Sequence, residues 1–258
     1  MLYYPVLVIV IFTLFLHSSP NMSHPHIKAI TLDLDDTLWP VWPTIRRAEA
    51  VLHQWLADNT PNTAALLGRP DAMRDLRDSV IAQYPHWAHD FSALRREAIR
   101  QSLVKAGDDP ALAHTAFEVF FEARHQVELF EDALPALEYL AARYPLIAIS
   151  NGNADIQRVG LARFFKGAIS AGEFGIAKPD PRIFNAAAAA AGVSVAQALH
   201  VGDDATLDAQ GAQLAGMHTA WLNREGHPWP HGEPEPPPTV TLLPMLTVSS
   251  LAQLCELL

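Results

Sequence analysis

The feature that most constrains this chain is the recurrence of short, branched apolar runs that end abruptly in polar or acidic residues. Lys28–Leu34 (KAITLDL) runs into Asp35 and Asp36, Pro145–Ser150 (PLIAIS) into Asn151 and Gly152, and Ala198–Gly202 (ALHVG) into Asp203 and Asp204. Ala168–Ser170 (AIS) and His218–Leu222 (HTAWL) are shorter runs of the same kind. An unbroken apolar run of about four to eight residues suits a strand buried on both faces, as in the middle of a parallel sheet. Helical patterns lie between these runs, at Ala154–Phe164, Pro181–Ala191 and Ala205–Ala215. Strands alternating with helices predict an α/β fold with a Rossmann-like parallel sheet covered on both faces.

One interval breaks the rhythm. About 115 positions separate Asp35 from Ser150, whereas a βαβ unit takes roughly 30 or more. Residues 43–129 hold four amphipathic helical patterns, Pro43–Asp58, Asp71–Tyr84, Ser92–Ala106 and Pro110–Leu129, with no convincing strand. Pro61, Pro70, Pro85 and Pro110 fall between these runs or at their starts, as helix punctuation does. The segment reads as a helical domain inserted into a core of residues 27–42 and 130–258. Such an insertion sits over the C-terminal ends of the strands, where open α/β sheets bind ligands. The Pro-rich stretch Gly232–Val240 reads as an extended connector to a last strand and helix.

The chain is long enough for a full hydrophobic core without disulfides. Its one cysteine, Cys255, excludes an intrachain disulfide and suits a reducing compartment. The formal net charge of −10, with no Lys/Arg-rich run, argues against nucleic acid as partner. It also means that a small anionic substrate needs a recruited cation. Residues 1–22 stand apart. The apolar run within Tyr3–Leu16 is short of the roughly 20 residues of a membrane span. It also lacks the basic residues that precede the apolar stretch of a signal peptide. Translation from Met22 gives a cytoplasmic protein; a genuine signal or anchor over residues 1–17 would export it or tether it to a membrane.

Four segments carry chemistry. In DLDDTLW, Asp33 and Asp35 stand two apart at a strand end and point to the same side. One can act as nucleophile or metal ligand while the other titrates, although the heptad alone also fits an acidic helix cap. In ISNGN, Ser150 and the following turn can cradle phosphate oxygens, or form a plain N-cap. Lys178, before Pro179, can neutralise phosphoryl and carboxylate charge, or be a solvated surface lysine. Asp203, Asp204 and Asp208 offer the hard oxygen ligands that suit magnesium, or stabilise a helix N-terminus. The spacing joins them: 28 positions from Ser150 to Lys178 and 25 from Lys178 to Asp203, each close to one strand–helix step. All four then lie along one edge of one sheet.

In order, DLDDTL, Ser150 in ISNGN, Lys178 before Pro179, and GDDATLD resemble the four motifs of the haloacid dehalogenase-like hydrolases. The resemblance covers about residues 27–222, and the helical insertion is similar to that family's C1-type cap. It implies that Asp33 is the nucleophile that becomes an aspartyl-phosphate and Asp35 the general acid/base. It implies that Thr37 orders the loop, and that Thr37, Ser150, with Asn151 beside it, and Lys178 bind the phosphate. It also implies Mg²⁺ held by Asp33, the backbone carbonyl of Asp35, and Asp203, with Asp208 supporting the metal or its waters. ISNGNAD and LHVGDDATLDAQGAQLAGMHTAWL are similar to the subgroup acting on flavin mononucleotide and on the phosphorylated ribitylamino-uracil precursor in bacterial riboflavin metabolism. The expected partner is a small phosphorylated metabolite. Trp39, Trp42, Trp55 and Trp87 in or near the cap can stack on a flat ring or simply pack helices. A 2-haloacid dehalogenase, a sugar phosphomutase and a catalytically silent phosphometabolite-binding protein are the competing readings.

Overall fold

The computed structural model describes residues 26–68, 72–230 and 245–258. The N-terminal apolar run, Met22, Pro70 and the Pro-rich stretch Gly232–Val240 lie outside the described residues. Among the described residues no helix is long and apolar enough to cross a membrane.

Six parallel strands form one sheet: β1 (Ala29–Leu32), β2 (Leu146–Ser150), β3 (Gly167–Ser170), β4 (Ala198–Gly202), β5 (His218–Leu222) and β6 (Met245–Val248). Their order is β3-β2-β1-β4-β5-β6. β1 is therefore central, with Leu32 paired to Ala148 on one side and to Val201 on the other. The chain moves outward from β1 through β2 to β3, then crosses back to β4. That reversal opens a crevice at the C-terminal ends of β1, β2 and β4, the usual ligand position in such sheets.

Alternation along the strands builds two cores. Ile30, Leu32, Leu146, Ala148, Leu199 and Val201 face one side, under α6 (Ala133–Ala141) and α10 (Leu251–Leu257). Ala29, Ile147, Ile149 and Ala198 face the other, under α8 (Pro181–Ala191) and α9 (Gly211–Leu214). Each fully buried Leu, Ile or Phe contributes about 1.5–3 kcal/mol relative to exposure. α8 forms where its ends dictate: Asp180 accepts from Arg182 N as N-cap, Pro181 opens the first turn, and Gly192 closes it at φ 86°. A short α7 (Ala171–Phe174) follows β3.

The insertion is helical, as its sequence predicts. It comprises α1 (Val41–Asn59), α2 (Pro61–Leu66), α3 (Ala72–Gln83), α4 (Phe91–Ala106) and α5 (Ala113–Arg124). Leu52 and Leu56 of α1, Ile99 and Leu103 of α4, and Phe117 and Phe120 of α5 form an apolar cluster of its own.

Two sequence expectations need correction. Ala154–Phe164 is not a helix; it is a series of turns ending in a 3₁₀ turn at Ala162–Phe164. Asp155 draws the backbone off the helical path: its carboxylate accepts from Gln157 N at 2.7 Å, and its own N–H donates to His125 Nε2 at 2.9 Å. Gly160 then turns at φ 76°. Ala205–Ala215 is helical but not uniformly α. Ala205–Gln210 is a π-helical turn, in which Asp208 N and Ala209 N both donate to Asp204 O, and α9 begins only at Gly211.

Candidate active site

The chain leaves the sheet at Asp33, whose N–H still donates to Val201 O at 2.9 Å. Asp36 follows in the left-handed region at φ 57°, which Asp tolerates, and its carboxylate accepts from Val41 N at 2.8 Å. The helix-capping role that an acidic heptad suggests thus belongs to Asp36. Asp35 is aimed otherwise: Oδ1 accepts from the Trp39 indole N–H at 2.8 Å and Oδ2 from Arg124 Nη2 at 2.6 Å.

Asp33, Asp35, Ser150, Lys178, Asp203 and Asp208 all line one cavity of about 470 Å³. The loop after each contributing strand delivers its own group. Lys178 Nζ is buried and donates to Asp33 Oδ1, to Asp208 Oδ1 at 2.5 Å and to Ile149 O at 3.2 Å. Thr37 lies behind the cavity and donates to Asp203 Oδ1 at 3.0 Å. Asn151 also lines the cavity, and its amide braces Lys178: Nδ2 donates to Lys178 O at 2.9 Å, and Oδ1 accepts from Lys178 N at 2.7 Å. It fixes the lysine's backbone, and the Ser150 hydroxyl, which accepts from Gly152 N at 3.0 Å, keeps its own proton to give. Asp204 is the N-cap of the π-turn, accepting from Thr206 N and Leu207 N.

Oxygens of Asp33, Asp203 and Asp208 lie within 4.8 Å of one another, and Lys178 pairs with two of the three, Asp33 and Asp208. Burial pushes the Asp33 carboxyl well above the carboxylate range; Lys178 opposes this, and Asp208 and Asp203 add to it. Burial and then the charge of Asp208 push Asp203 up to about 7. Burial also acts to raise Asp208, but Lys178 and His200 hold it well below the ordinary value. Burial acts to lower Lys178, yet Asp208 and Asp33 hold it above the ordinary lysine range. His200 Nε2 meets Asp208 Oδ1 at 3.0 Å and Nδ1 meets Thr31 Oγ1 at 2.8 Å, so a buried polar string runs from β1 to Asp33. The site carries more buried negative charge than its lysine offsets. An all-oxygen donor set of this kind fits a divalent cation such as Mg²⁺. Asp33 and Asp203 are the carboxylates best able to hold it. Both Asp208 oxygens already accept, from Lys178 and His200 and from Asp204 N at 3.1 Å.

The insertion forms the cavity's other half, with Trp42, Ile45, Ile81, Phe91 and Phe120. Of the four tryptophans, only Trp42 lines it. Trp39 is fully buried under Asp35, Trp55 packs in the insertion's core, and Trp87 stacks on Tyr84 with centroids 4.4 Å apart. The sequence reading missed Arg124. Its position was the available signal: with Phe117 and Phe120 it shares the buried stripe of α5, a place where a cation is costly.

Gly152 is required by closeness. A Cβ there would sit 2.6 Å from Asp35 Oδ2 and 3.2 Å from Ser150 Oγ. Gly152→Ala should therefore displace the Asp35 carboxylate and lower kcat by about 10²-fold, with little change in melting temperature. Unchanged turnover in that variant would show that the loop can yield.

Residues 27–216 match the haloacid dehalogenase-like hydrolase family. The chain is 33% identical over 236 residues to the 5-amino-6-(5-phospho-D-ribitylamino)uracil phosphatase YigB of Escherichia coli, covering 90% of this chain and 96% of the relative. It is 30% identical over 207 residues to a glyceraldehyde 3-phosphate phosphatase of Methanopyrus kandleri, covering 77% and 84%. Among solved structures it resembles a 2-haloacid dehalogenase from Pseudomonas syringae pv. Tomato at 40% identity and a TM-score of 0.81, covering 90% and 97%. With the family match spanning β1 to β4, the insertion and all four site-bearing loops, the chain belongs to the haloacid dehalogenase-like hydrolases.

Proposed function

We propose that this enzyme is a magnesium-dependent phosphatase of small phosphate monoesters, acting through an aspartyl-phosphate on Asp33. The observation that carries this reading is the cluster of three carboxylates, Asp33 and Asp208 buried and Asp203 half-buried, served by one lysine that pairs with two of them. Displacement of halide from a 2-haloacid needs neither a cation nor an acid/base, whereas phosphoryl transfer uses both.

Asp33 attacks phosphorus, forming a new P–O bond while the ester P–O bond breaks. Asp35 gives its proton to the departing alkoxide, then takes one from the water that attacks the aspartyl-phosphate and releases inorganic phosphate. Lys178 and the Ser150 hydroxyl hold the phosphoryl oxygens, while Asn151 and Asp208 hold Lys178. Mg²⁺, when bound by Asp33 and Asp203, supplies the charge that offsets the phosphoryl group and these carboxylates. The leaving group occupies the insertion's half of the cavity. Likeness to the ribitylamino-uracil phosphatase, together with Trp42 and Phe91 on that wall, supports flavin mononucleotide or the riboflavin-precursor phosphate as substrate.

The test is phosphate release from a panel including both compounds, with EDTA or with Mg²⁺, beside halide release from 2-chloropropionate. Activity lost in EDTA and restored by Mg²⁺ is expected. Halide release in metal-free buffer, without phosphate release, would overturn the reading. A linked thermal measurement checks the metal site. Asp203 is raised to about 7, above its unfolded value, so the metal-free native state binds the extra proton. Stability from that proton is full below the unfolded value, about 4, and is lost as pH rises through about 7. Mg²⁺ needs the ionised carboxylate. It should therefore raise the melting temperature more at pH 8 than at pH 5; an equal rise at both would remove Asp203 as ligand.

A further inference from the structure

Arg124 is 1% exposed and stands at the last residue of α5, in the insertion, yet its guanidinium reaches two loops of the sheet domain. Nη2 donates to Asp35 Oδ2 at 2.6 Å, after β1, and Nε donates to Asn153 Oδ1 at 3.0 Å, after β2. Asn153 is braced in turn against Ser92 at the start of α4, with Nδ2 donating to its Oγ at 3.2 Å. Nη1 is buried with no hydrogen-bond partner among the described residues. A buried, unsatisfied donor on a charged group costs stability, and the apolar stripe of α5 would pack more cheaply with Leu or Met. Stability is therefore a poor reason for an arginine here.

The geometry gives a better one. Among the described residues Asp35 has two side-chain donors, Trp39 from its own loop and Arg124 from the insertion. Two donors on different oxygens fix a carboxylate's plane; Trp39 alone leaves it free to rotate. The planar fork of arginine satisfies Asp35 and Asn153 together along one edge, which the point charge of a lysine cannot do.

We propose that Arg124 is the positioning residue that aims Asp35 at the leaving-group oxygen, so that the acid/base is aligned only while the helical insertion is docked on the sheet. This rests on the phosphatase reading given above. Cavity formation and proton transfer are then one event: the element that encloses the leaving group also orients the group that protonates it.

The test compares kcat/KM, which reports the steps through formation of the aspartyl-phosphate, for an alkyl ester (glycerol 2-phosphate) and an aryl ester (p-nitrophenyl phosphate), both with Mg²⁺. The alkoxide needs the proton and the nitrophenolate does not. Arg124→Ala should lose about 10²-fold on the alkyl ester and only a few-fold on the aryl ester. Guanidinium, below its denaturing range, should restore part of the alkyl activity where an equal concentration of sodium does not. Equal losses on the two esters, or no rescue, would overturn the proposal. Should Arg124→Ala fail to fold, Asn153→Ala removes the guanidinium's other anchor and is read on the same two esters: a selective alkyl loss supports the proposal and an equal loss overturns it. Wild-type enzyme separates the two readings. If it hydrolyses neither ester, the phosphatase assignment fails and this one with it; if it hydrolyses both while the variants lose equally, only the role of Arg124 fails.

Discussion

Asp33→Asn is expected to give a folded protein with phosphatase turnover reduced on the order of 10⁴-fold or more, as when a covalent nucleophile is removed. The amide keeps the shape of the side chain and an oxygen for Lys178, but it cannot attack phosphorus. Its effect on stability should have the opposite sign. The Asp33 carboxyl is raised first by burial and then by Asp208 and Asp203, against the pull of Lys178. Ionised Asp33 is therefore a strained neighbour of two other carboxylates, and removing its charge relieves them. The variant should melt at or above the wild-type temperature at pH 8 in metal-free buffer. Function at the expense of stability is the usual condition of such sites. Phosphate release within about tenfold of wild type would be far too much for a missing nucleophile, and the central assignment would go with it.

Lys178→Met should be the mirror case, losing both activity and stability. The methionine fills a similar volume but leaves Asp33 and Asp208 buried beside each other without the ammonium that both contact. Breaking a buried pair by deleting one partner costs about 3–5 kcal/mol, because the remaining charge is uncompensated. Here two carboxylates are left, and among the described residues His200 becomes the one cation-capable side chain bonded to Asp208. The denaturant midpoint should fall accordingly, and added Mg²⁺ should recover part of the loss. A stability change below about 1 kcal/mol would place Lys178 among weakly coupled surface pairs, against its burial in this structure.

Most of the sheet was legible because its strands are short, apolar and buried on both faces, so their ends could be read where Asp33, Ser150 and Asp203 begin. Four of the insertion's five helices were legible from their periodicity and prolines; the six-residue α2, too short to show a period, was not. Ala154–Phe164 was misread because Ile156 and Val159, three apart, and Leu161 and Phe165, four apart, are apolar at helical spacing, yet they reach the core from turns. Spacing alone cannot register that the Asp155 N–H has a better partner in His125, a residue 30 positions away. The same limit hid Arg124, whose partner Asp35 is 89 positions distant. Trp39 shows the converse. Its proximity to Asp35 in sequence suggested a surface for substrate, but the indole turns inward and holds the Asp35 carboxylate from below. Local composition names the residues a site uses; only the chain's long-range return decides which face of each is offered.

The π-turn at Ala205–Gln210 sets a limit on how this lineage can vary. Its extra residue lets Asp208 face inward between His200 and Lys178. Each residue advances a helix by about 100°. Exchanging a side chain in this stretch leaves that bearing intact, but dropping one residue would swing Asp208 away from both partners. Descendants of this chain should thus differ freely in spelling between Asp203 and Gly211 and scarcely at all in length, with gaps accumulating in other loops.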